Sequence, residues 1–566
     1  MTSKETRPNA VVSLYPELDE GVLAQVVQAL RTGDTSALAP ARAAEVDAAR
    51  EAATFRDGVR VPVGEGVELD AALWLHNGEG PHPLIVMPSP WAKQGWTVYA
   101  VQAMRFARRG YHVLAYTARG FGESGGEVEV AGEADIADGI KALDHLVSEA
   151  GGPGAIGRVG FLGDSYGSGI SQLVAAEDPR VHAVVALSTW GDLGEAFYEN
   201  NTRHVAAVRT LLGAAATARL SARTQKAFDD VLANENVEET LRWAASRSPY
   251  HRAEKLNDRQ VPVLFAQAWH ETLFPGNQTL KMFNALSGPK RLLWSIGDHS
   301  GPEMTGILGL PNRIWQDAHR WFDRHLLEVG GDENGDEAAA AAFDEESGAE
   351  DQVVSEVMWG RALESRPTWH AATGTPERFY LTGPADGARD GGLLDKPADG
   401  LHTTFTTGTD TPATVADQIL VTGYAELAGL PKAYRTGKID RNAAGVWTSA
   451  PLPSRHQLRG VPRLRVTVAA DTADALFVAY LFDVNALGIA RIITHAPYTL
   501  LGAADTPTAV DLALQVTGYD VKAGHRLMLV LDSVDPFYGG PADETPGTIT
   551  VTSPDEDPSY LEIPLS

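Results

Sequence analysis

The strongest chemical signal in the sequence is the pentapeptide Gly163-Asp164-Ser165-Tyr166-Gly167. A serine hydroxyl is a poor nucleophile at neutral pH unless a histidine takes its proton and a carboxylate orients that histidine. The flanks supply the setting such a serine needs: Arg158 to Leu162 reads as an apolar strand, and Ser168 to Ala176 continues as a helix. A strand, a sharp turn and a helix expose the hydroxyl at the end of a sheet, and the glycines two residues before and after it allow close packing. With 56 glycines in the chain the string alone says little, so its context carries the reading.

In the chain order that goes with such an elbow, the acid and then the histidine follow the serine, each on a loop after a later strand. Val261 to Trp269 ends in His270-Glu271-Thr272, and Arg291 to Ile296 ends in Gly297-Asp298-His299-Ser300-Gly301. His299 is the expected base and Glu271 its acid. Asp298 and Asp192 also fall near strand ends, but Asp298 is too close in sequence to face its neighbour's ring, and His270 stands where the layout puts the acid. An oxyanion hole needs donors aimed at the developing charge. The backbone N–H of Tyr166 is one. The second is expected from Pro88-Ser89-Pro90-Trp91-Ala92, where two prolines lack N–H groups and Trp91 leads, through its backbone or its indole N–H; a Trp that only lines the acyl pocket is the alternative.

Short apolar runs at Pro83 to Met87, Tyr111 to Tyr116, Arg158 to Leu162 and Val181 to Leu187 alternate with helix-like stretches at Trp96 to Arg109 and Ala134 to Val147. That alternation predicts an α/β fold with a parallel sheet covered on both faces, the α/β-hydrolase core. The pattern breaks at residues 193–257, which read as a helical cap without strands, and resumes with Val261 to Trp269, a helix near Thr279 to Ala285, Arg291 to Ile296 and a helix around Ile314 to Leu327. The catalytic domain is thus expected at 51–192 and 258–328. Before it, residues 1–50 read as a helical extension, with Val22, Leu23, Val26, Val27 and Leu30 at helical spacing. Residues 329–352 are acidic and read as a linker, and 353–566 turn into short β-rich runs, an all-β sandwich or jelly roll.

The chain has 566 residues, 44% of them hydrophobic, enough for two or three domains. Its formal charge of −27 repels nucleic acid and anionic lipid, and no stretch reaches membrane-spanning length. Lys4 and Arg7 precede no uninterrupted apolar run, so a cytoplasmic protein is expected. There is no cysteine, which excludes disulfides and thiolate chemistry. No His and carboxylate spacing suggests a metal and no loop cradles phosphate, so no cofactor is expected. The expected partner is a small ester, amide or short peptide substrate, with homo-oligomerisation left open.

Beyond the elbow, several segments resemble the bacterial cocaine esterase and X-prolyl dipeptidyl-peptidase-like hydrolases. They are Arg56-Asp57-Gly58-Val59, Arg119-Gly120-Phe121-Gly122-Glu123-Ser124-Gly125-Gly126, Trp269-His270-Glu271-Thr272-Leu273-Phe274, Trp447-Thr448-Ser449-Ala450-Pro451-Leu452 and Leu481-Phe482-Asp483-Val484. The resemblance implies a hydrolase core, an inserted cap and a C-terminal jelly roll, with acyl transfer to water through an acyl-enzyme. Three positions depart from the family pattern: Glu271 where an aspartate is usual, Trp91 where cocaine esterases place an oxyanion-hole tyrosine, and Thr117 in place of an aspartate.

Three functions follow from these readings. The first is an esterase or amidase acting on small acyl groups. The second is an X-prolyl dipeptidyl aminopeptidase or α-amino acid ester hydrolase, which needs a carboxylate to neutralise the substrate ammonium; Asp192, Glu195 and Glu199 are the candidates, against their reading as a solvated first helical turn. The third is a binding protein on a dead hydrolase fold, against which stand three triad positions filled by competent residue types.

Overall fold

The structure is a computed structural model and describes residues 21–327, 352–360, 363–398, 400–502, 504–540 and 546–565. The linker expected at 329–352 lies, apart from Gln352, outside the described residues, as do the first twenty residues of the expected extension.

The catalytic half is built on a ten-stranded sheet. Its strands are β1 (Ala53–Gly64), β2 (Val67–His76), β3 (His82–Pro88), β4 (His112–Tyr116), β5 (Ile156–Asp164), β6 (Val181–Leu187), β7 (Val263–Ala268), β8 (Lys290–Ser295), β9 (Val353–Ser355) and β10 (Glu364–Arg366), in the spatial order β1-β2-β4-β3-β5-β6-β7-β8-β9-β10. The first two form an antiparallel hairpin, and β2 meets β4 antiparallel. From β4 through β9 every pairing is parallel. Every residue of β4 and β7 is buried, as a strand between two helical layers must be, which is why these runs read as continuously apolar. The carboxyl ends of β5, β7 and β8 lie on one edge of the sheet, with β6 between β5 and β7, and loops leaving that edge are where such sheets gather chemistry.

The expected N-terminal helices are Val22–Thr32 and Pro40–Ala52, which bury Leu23, Val26, Val27, Leu30, Val46 and Ala49. The cap holds five helices, from Leu193–Phe197 to Ala253–Asp258. It is not strand-free as expected: Tyr198–Glu199 and Thr202–Arg203 form a short antiparallel ladder, closed through Asn200 and Asn201, both at positive φ. Asparagine tolerates that conformation, and so small a turn leaves little periodicity to read. The ring of Phe197 stacks on Trp243 at 6.2 Å and meets Phe228 edge-on, so the cap has its own aromatic core. The cap is fastened to the C-terminal domain: Thr202 Oγ1 and Thr499 Oγ1 are 2.8 Å apart, Asn200 donates to Pro497 O, and the Arg203 guanidinium donates to Gly540 O.

The C-terminal half is β-rich, with fourteen strands in one hydrogen-bonded network among the described residues. Its centre is Ala475–Val484, buried throughout, between Ile489–Leu500 and Arg526–Asp532. Tyr560–Leu565, the last described strand, sits inside the network and pairs with Thr375–Thr382, His456–Gly460 and Arg463–Ala470. The first strand after the expected boundary at residue 353 joins the other half of the molecule. Val353–Ser355 extends the catalytic sheet beside β8, because Val353 and Val354 cover that sheet's open edge.

Candidate active site

β5 is buried from Val159 to its end at Asp164, and the helix Tyr166–Glu177 starts two residues later. Between them Ser165 sits at φ 54° and ψ −120°, a strained conformation for any residue but glycine. The turn is this tight because the flanking glycines allow it. A Cβ on Gly163 would lie 2.0 Å from the carbonyl carbon of Gly167, and one on Gly167 would lie 2.0 Å from Pro88 O. The Ser165 N–H donates to Leu187 O at the end of β6, which fixes the turn against the neighbouring strand.

The loop after β7 brings Glu271 and the loop after β8 brings His299 to this turn. Ser165 Oγ is 2.8 Å from His299 Nε2. His299 Nδ1 lies 3.0 and 3.1 Å from the two oxygens of Glu271. Both side chains of that pair are fully buried, and Ser165 is 2% exposed. A carboxylate accepts only, so Nδ1 carries the proton and Nε2 is left to accept from the serine hydroxyl. Glu271 Oε1 also accepts the N–H groups of Leu273 at 3.0 Å and Phe274 at 3.2 Å, so the longer acid is held by its own loop. Burial pulls the His299 imidazole down, but the touching Glu271 carboxylate outweighs it and the ring is raised to about 8.

Asp298, the alternative acid, faces away from the His299 ring. Its carboxylate accepts from Thr272 N–H at 2.7 Å, Thr272 Oγ1 at 2.8 Å, His299 N–H at 2.7 Å and Leu420 N–H at 3.1 Å, and so ties the acid loop to the base loop. His270 turns to the C-terminal domain, with Nδ1 2.6 Å from Glu426 Oε2 and Nε2 3.2 Å from Ile493 O.

The backbone N–H groups of Tyr166 and Trp91 donate to no other group among the described residues, so both are available to an oxyanion. The indole of Trp91 is not: its Nε1 donates to Leu211 O at 3.0 Å in the cap. That overturns the indole option, because a buried N–H takes a fixed protein acceptor when one is in reach. The ring instead forms a wall, edge-on to Tyr166 at 5.1 Å and to Phe121 at 5.0 Å.

The three amine-binding candidates differ in what they face. Asp192 caps the helix Leu193–Phe197, accepting from Gly194 and Glu195 N–H, and both Asp192 and Glu195 hold the Lys281 ammonium. Glu199 is buried. One of its oxygens accepts from Gln515 Nε2, and the other accepts no well-formed hydrogen bond and faces His204 Nε2 at 3.5 Å. Burial raises its pKa, partly offset by His204.

Sequence reasoning missed two features of the site. Glu303, on the helix Gly301–Ile307, is buried; loss of solvent and the nearby Asp164 carboxylate push its pKa well above the usual carboxylate range. The helix Val421–Leu427 of the C-terminal domain lies over the His299 loop, where Tyr424 Oη donates to His299 O at 3.0 Å. Glu303 is four residues past the base, a spacing that offered a signal; Tyr424 offered none. Among the described residues no group of three or more His, Asp and Glu side chains is arranged to hold a metal ion, and no helix is long and apolar enough to cross a membrane.

Comparisons with known proteins agree with this architecture. Residues 65–301 match the family model of the X-Pro dipeptidyl-peptidase (S15 family), and residues 346–562 match that of the X-Pro dipeptidyl-peptidase C-terminal non-catalytic domain. A cocaine esterase of Rhodococcus sp. (strain MB1 Bresler) is 32% identical over 121 residues, 21% of this chain and 20% of that protein, so the aligned part is a fifth of the relative's length. Three solved structures share the fold. They are an aminopeptidase from a marine sediment Thaumarchaeota archaeon (TM-score 0.64, 16% identity, 91% of this chain and 96% of that one), an α-amino acid ester hydrolase (0.63, 16%, 91% and 97%) and a CocE/NonD family hydrolase from Staphylococcus aureus (0.65, 12%, 91% and 94%). With one model over its catalytic part and the companion model over its β-rich part, the chain is a serine hydrolase similar to the X-Pro dipeptidyl-peptidases (S15 family) and the cocaine esterases.

Proposed function

We propose that the protein cleaves small acyl esters or amides through an acyl-enzyme, with Ser165 as nucleophile, His299 as general base and Glu271 as the acid that orients it. The observation that carries this reading is the buried chain of contacts from Ser165 Oγ through His299 to Glu271, at 2.8 and 3.0 Å, on a strained elbow. In the reaction, His299 Nε2 takes the Ser165 proton as Oγ bonds to the substrate carbonyl carbon. The negative oxygen of the tetrahedral intermediate is held by the Tyr166 and Trp91 backbone N–H groups. The imidazolium then gives its proton to the leaving alkoxide or amine, and the acyl group stays on Oγ. Water, deprotonated by the same nitrogen, attacks the ester, and the proton returns to Ser165 as the acid product leaves.

Hydrolysis of p-nitrophenyl acetate and labelling by a fluorophosphonate test this. The Ser165→Ala variant is expected to lose labelling and to drop in kcat by about 10⁴-fold or more. Retention of full activity would refute the assignment.

One observation favours a second reading, α-amino acyl or X-prolyl substrates. Glu199 presents a buried carboxylate oxygen that accepts no well-formed hydrogen bond and faces His204 Nε2 at 3.5 Å. It stands two residues after Phe197, whose ring meets Phe228, which in turn meets Trp91 at 6.3 Å. An ammonium beside that oxygen would replace water lost on burial. Two of the structures that share the fold are named an aminopeptidase and an α-amino acid ester hydrolase. Matched methyl esters of phenylglycine and phenylacetic acid separate the readings: a preference for the free amine that disappears in Glu199→Gln supports this one, and equal rates rule it out.

A further inference from the structure

A short helix of the C-terminal domain, Val421–Leu427, lies against the loops that carry the reacting residues. Four contacts converge there. Tyr424 Oη donates to His299 O at 3.0 Å, on the base itself. The N–H of Leu420, just before the helix and at φ 69°, donates to Asp298 Oδ2 at 3.1 Å. Glu426 Oε2 lies 2.6 Å from Nδ1 of His270, the residue before the triad acid. The fourth is contact without space: a Cβ on Gly423 would lie 2.4 Å from Asp298 Cβ, and one on Gly301 would lie 2.7 Å from the Tyr424 ring. The two backbones are therefore as close as glycine permits.

The His270 contact has a definite charge. Both ring nitrogens face acceptors, Glu426 on one side and Ile493 O on the other, so the geometry selects a doubly protonated imidazolium. Removing either member of a buried ion pair leaves the other charge uncompensated, which makes the contact stiff as well as specific. One end of this strut is the backbone that carries Glu271. The Asp298 carboxylate joins the same loop, through Thr272, to the base loop. Asp298 thus joins the acid loop to the base loop within the catalytic domain, and groups of the other domain brace both loops from outside.

We propose that Tyr424 and Glu426 are positioning residues of the reaction, so that the domain whose family model is called non-catalytic completes the geometry of the triad. The inference rests on the assignment of Ser165, His299 and Glu271 above. Neither side chain touches Ser165 in the structure's hydrogen bonds, and their effect passes through His299 and His270.

Tyr424→Phe removes one hydroxyl and Glu426→Gln removes one charge, and both are measured in the full-length chain. A displacement of about 1 Å at a reacting group costs ~10²-fold, so kcat is expected to fall ~10- to 100-fold in each, with KM within about two-fold. The rate of Ser165 labelling by a fluorophosphonate is expected to fall by the same factor as kcat, since it reads nucleophile activation without substrate binding. Tyr424→Phe is the decisive variant, because losing one hydroxyl at a half-buried ring leaves the fold intact. If kcat and labelling both stay within about two-fold of wild type in Tyr424→Phe and Glu426→Gln, or if kcat falls while labelling is unchanged, the inference is wrong. Ser165→Ala in the same assays separates the two levels: undiminished labelling in that variant would sink the triad assignment, whereas its loss beside normal Tyr424→Phe and Glu426→Gln enzymes would sink the positioning role alone.

Discussion

Replacing Glu271 by glutamine tests the triad more sharply than removing it, because the structure dictates which way the new amide must turn. Oε1 accepts two backbone N–H groups, from Leu273 and Phe274, as well as His299 Nδ1. An amide oxygen can keep the two backbone bonds, which puts the NH₂ at the Oε2 position, 3.1 Å from Nδ1. There its N–H groups meet Nδ1, which favours an unprotonated Nδ1 and a proton on Nε2, the nitrogen that has to take the proton from Ser165. The imidazolium of the transition state also loses its counter-charge. Across 3.0 Å at an effective dielectric of about 20, that charge is worth about 5.5 kcal/mol, or ~10⁴-fold in rate. Loss of the correct tautomer in a serine protease triad costs a similar ~10⁴-fold. The expected fall in kcat/KM for Glu271→Gln is therefore ~10⁴-fold, measured with a p-nitrophenyl ester across pH 5 to 10. The pH profile gives an independent reading. In the wild-type enzyme only neutral His299 accepts the proton, so activity should rise with pH to a midpoint near 8. Without the Glu271 carboxylate, burial is opposed only by the Asp164 and Asp298 charges, and the midpoint of any residual activity should drop below 8. A variant that keeps more than about a tenth of the activity, or whose midpoint stays near 8, would show that Glu271 is not the partner of His299.

Two further outcomes follow from contacts around the triad. Trp91→Phe removes one of the two donors to Leu211 O, which keeps the Ala215 N–H, and should cost about 0.5–1.5 kcal/mol of stability in denaturant titrations, while kcat/KM stays within about ten-fold because the backbone N–H remains; a loss of ~10²- to 10³-fold would mean that the side chain does feed the oxyanion hole. Glu303→Gln should flatten the pH dependence of stability: the folded wild-type carboxyl is raised to about 8 from an ordinary value of 4.5, so its contribution is full below that ordinary value and is lost as pH rises through 8, and from about pH 4 to 9 the wild type's melting temperature should fall steadily relative to the variant's. Parallel curves over that range would rule out a proton held by Glu303.

What the sequence made legible was local in kind. Ser165 could be read because the elbow's glycines, strand and helix adjoin it, and Glu271 and His299 because each follows an apolar run by two or three residues. The core strands could be read because burial on both faces removes polar residues from them. The hairpin β1–β2 was harder, since β1 alternates buried and exposed residues and contains Gly58 and Pro62. The three-residue strand Val353–Ser355 is too short for periodicity and owes its place to an uncovered sheet edge. Trp91 could be placed at the site but not oriented, because the acceptor for its indole, Leu211, lies 120 residues away. The sequence Val421-Thr-Gly-Tyr-Ala-Glu-Leu427 carries no sign of its role, which exists only once a loop of the β-rich domain lies against residues 298 to 301.

The interior position of Tyr560–Leu565 has a consequence for the order in which the protein is made. A ribosome delivers Ser165, Glu271 and His299 long before it delivers this strand, yet the sheet behind Val421–Leu427 needs it as an internal member paired with Thr375–Thr382 and Arg463–Ala470. A nascent or interrupted chain therefore carries all three reacting residues without the folded support that holds the base and acid loops. Synthesis from N- to C-terminus thus works as a timer, under which the support of the reactive serine's partners waits until residues 560–565 have been made.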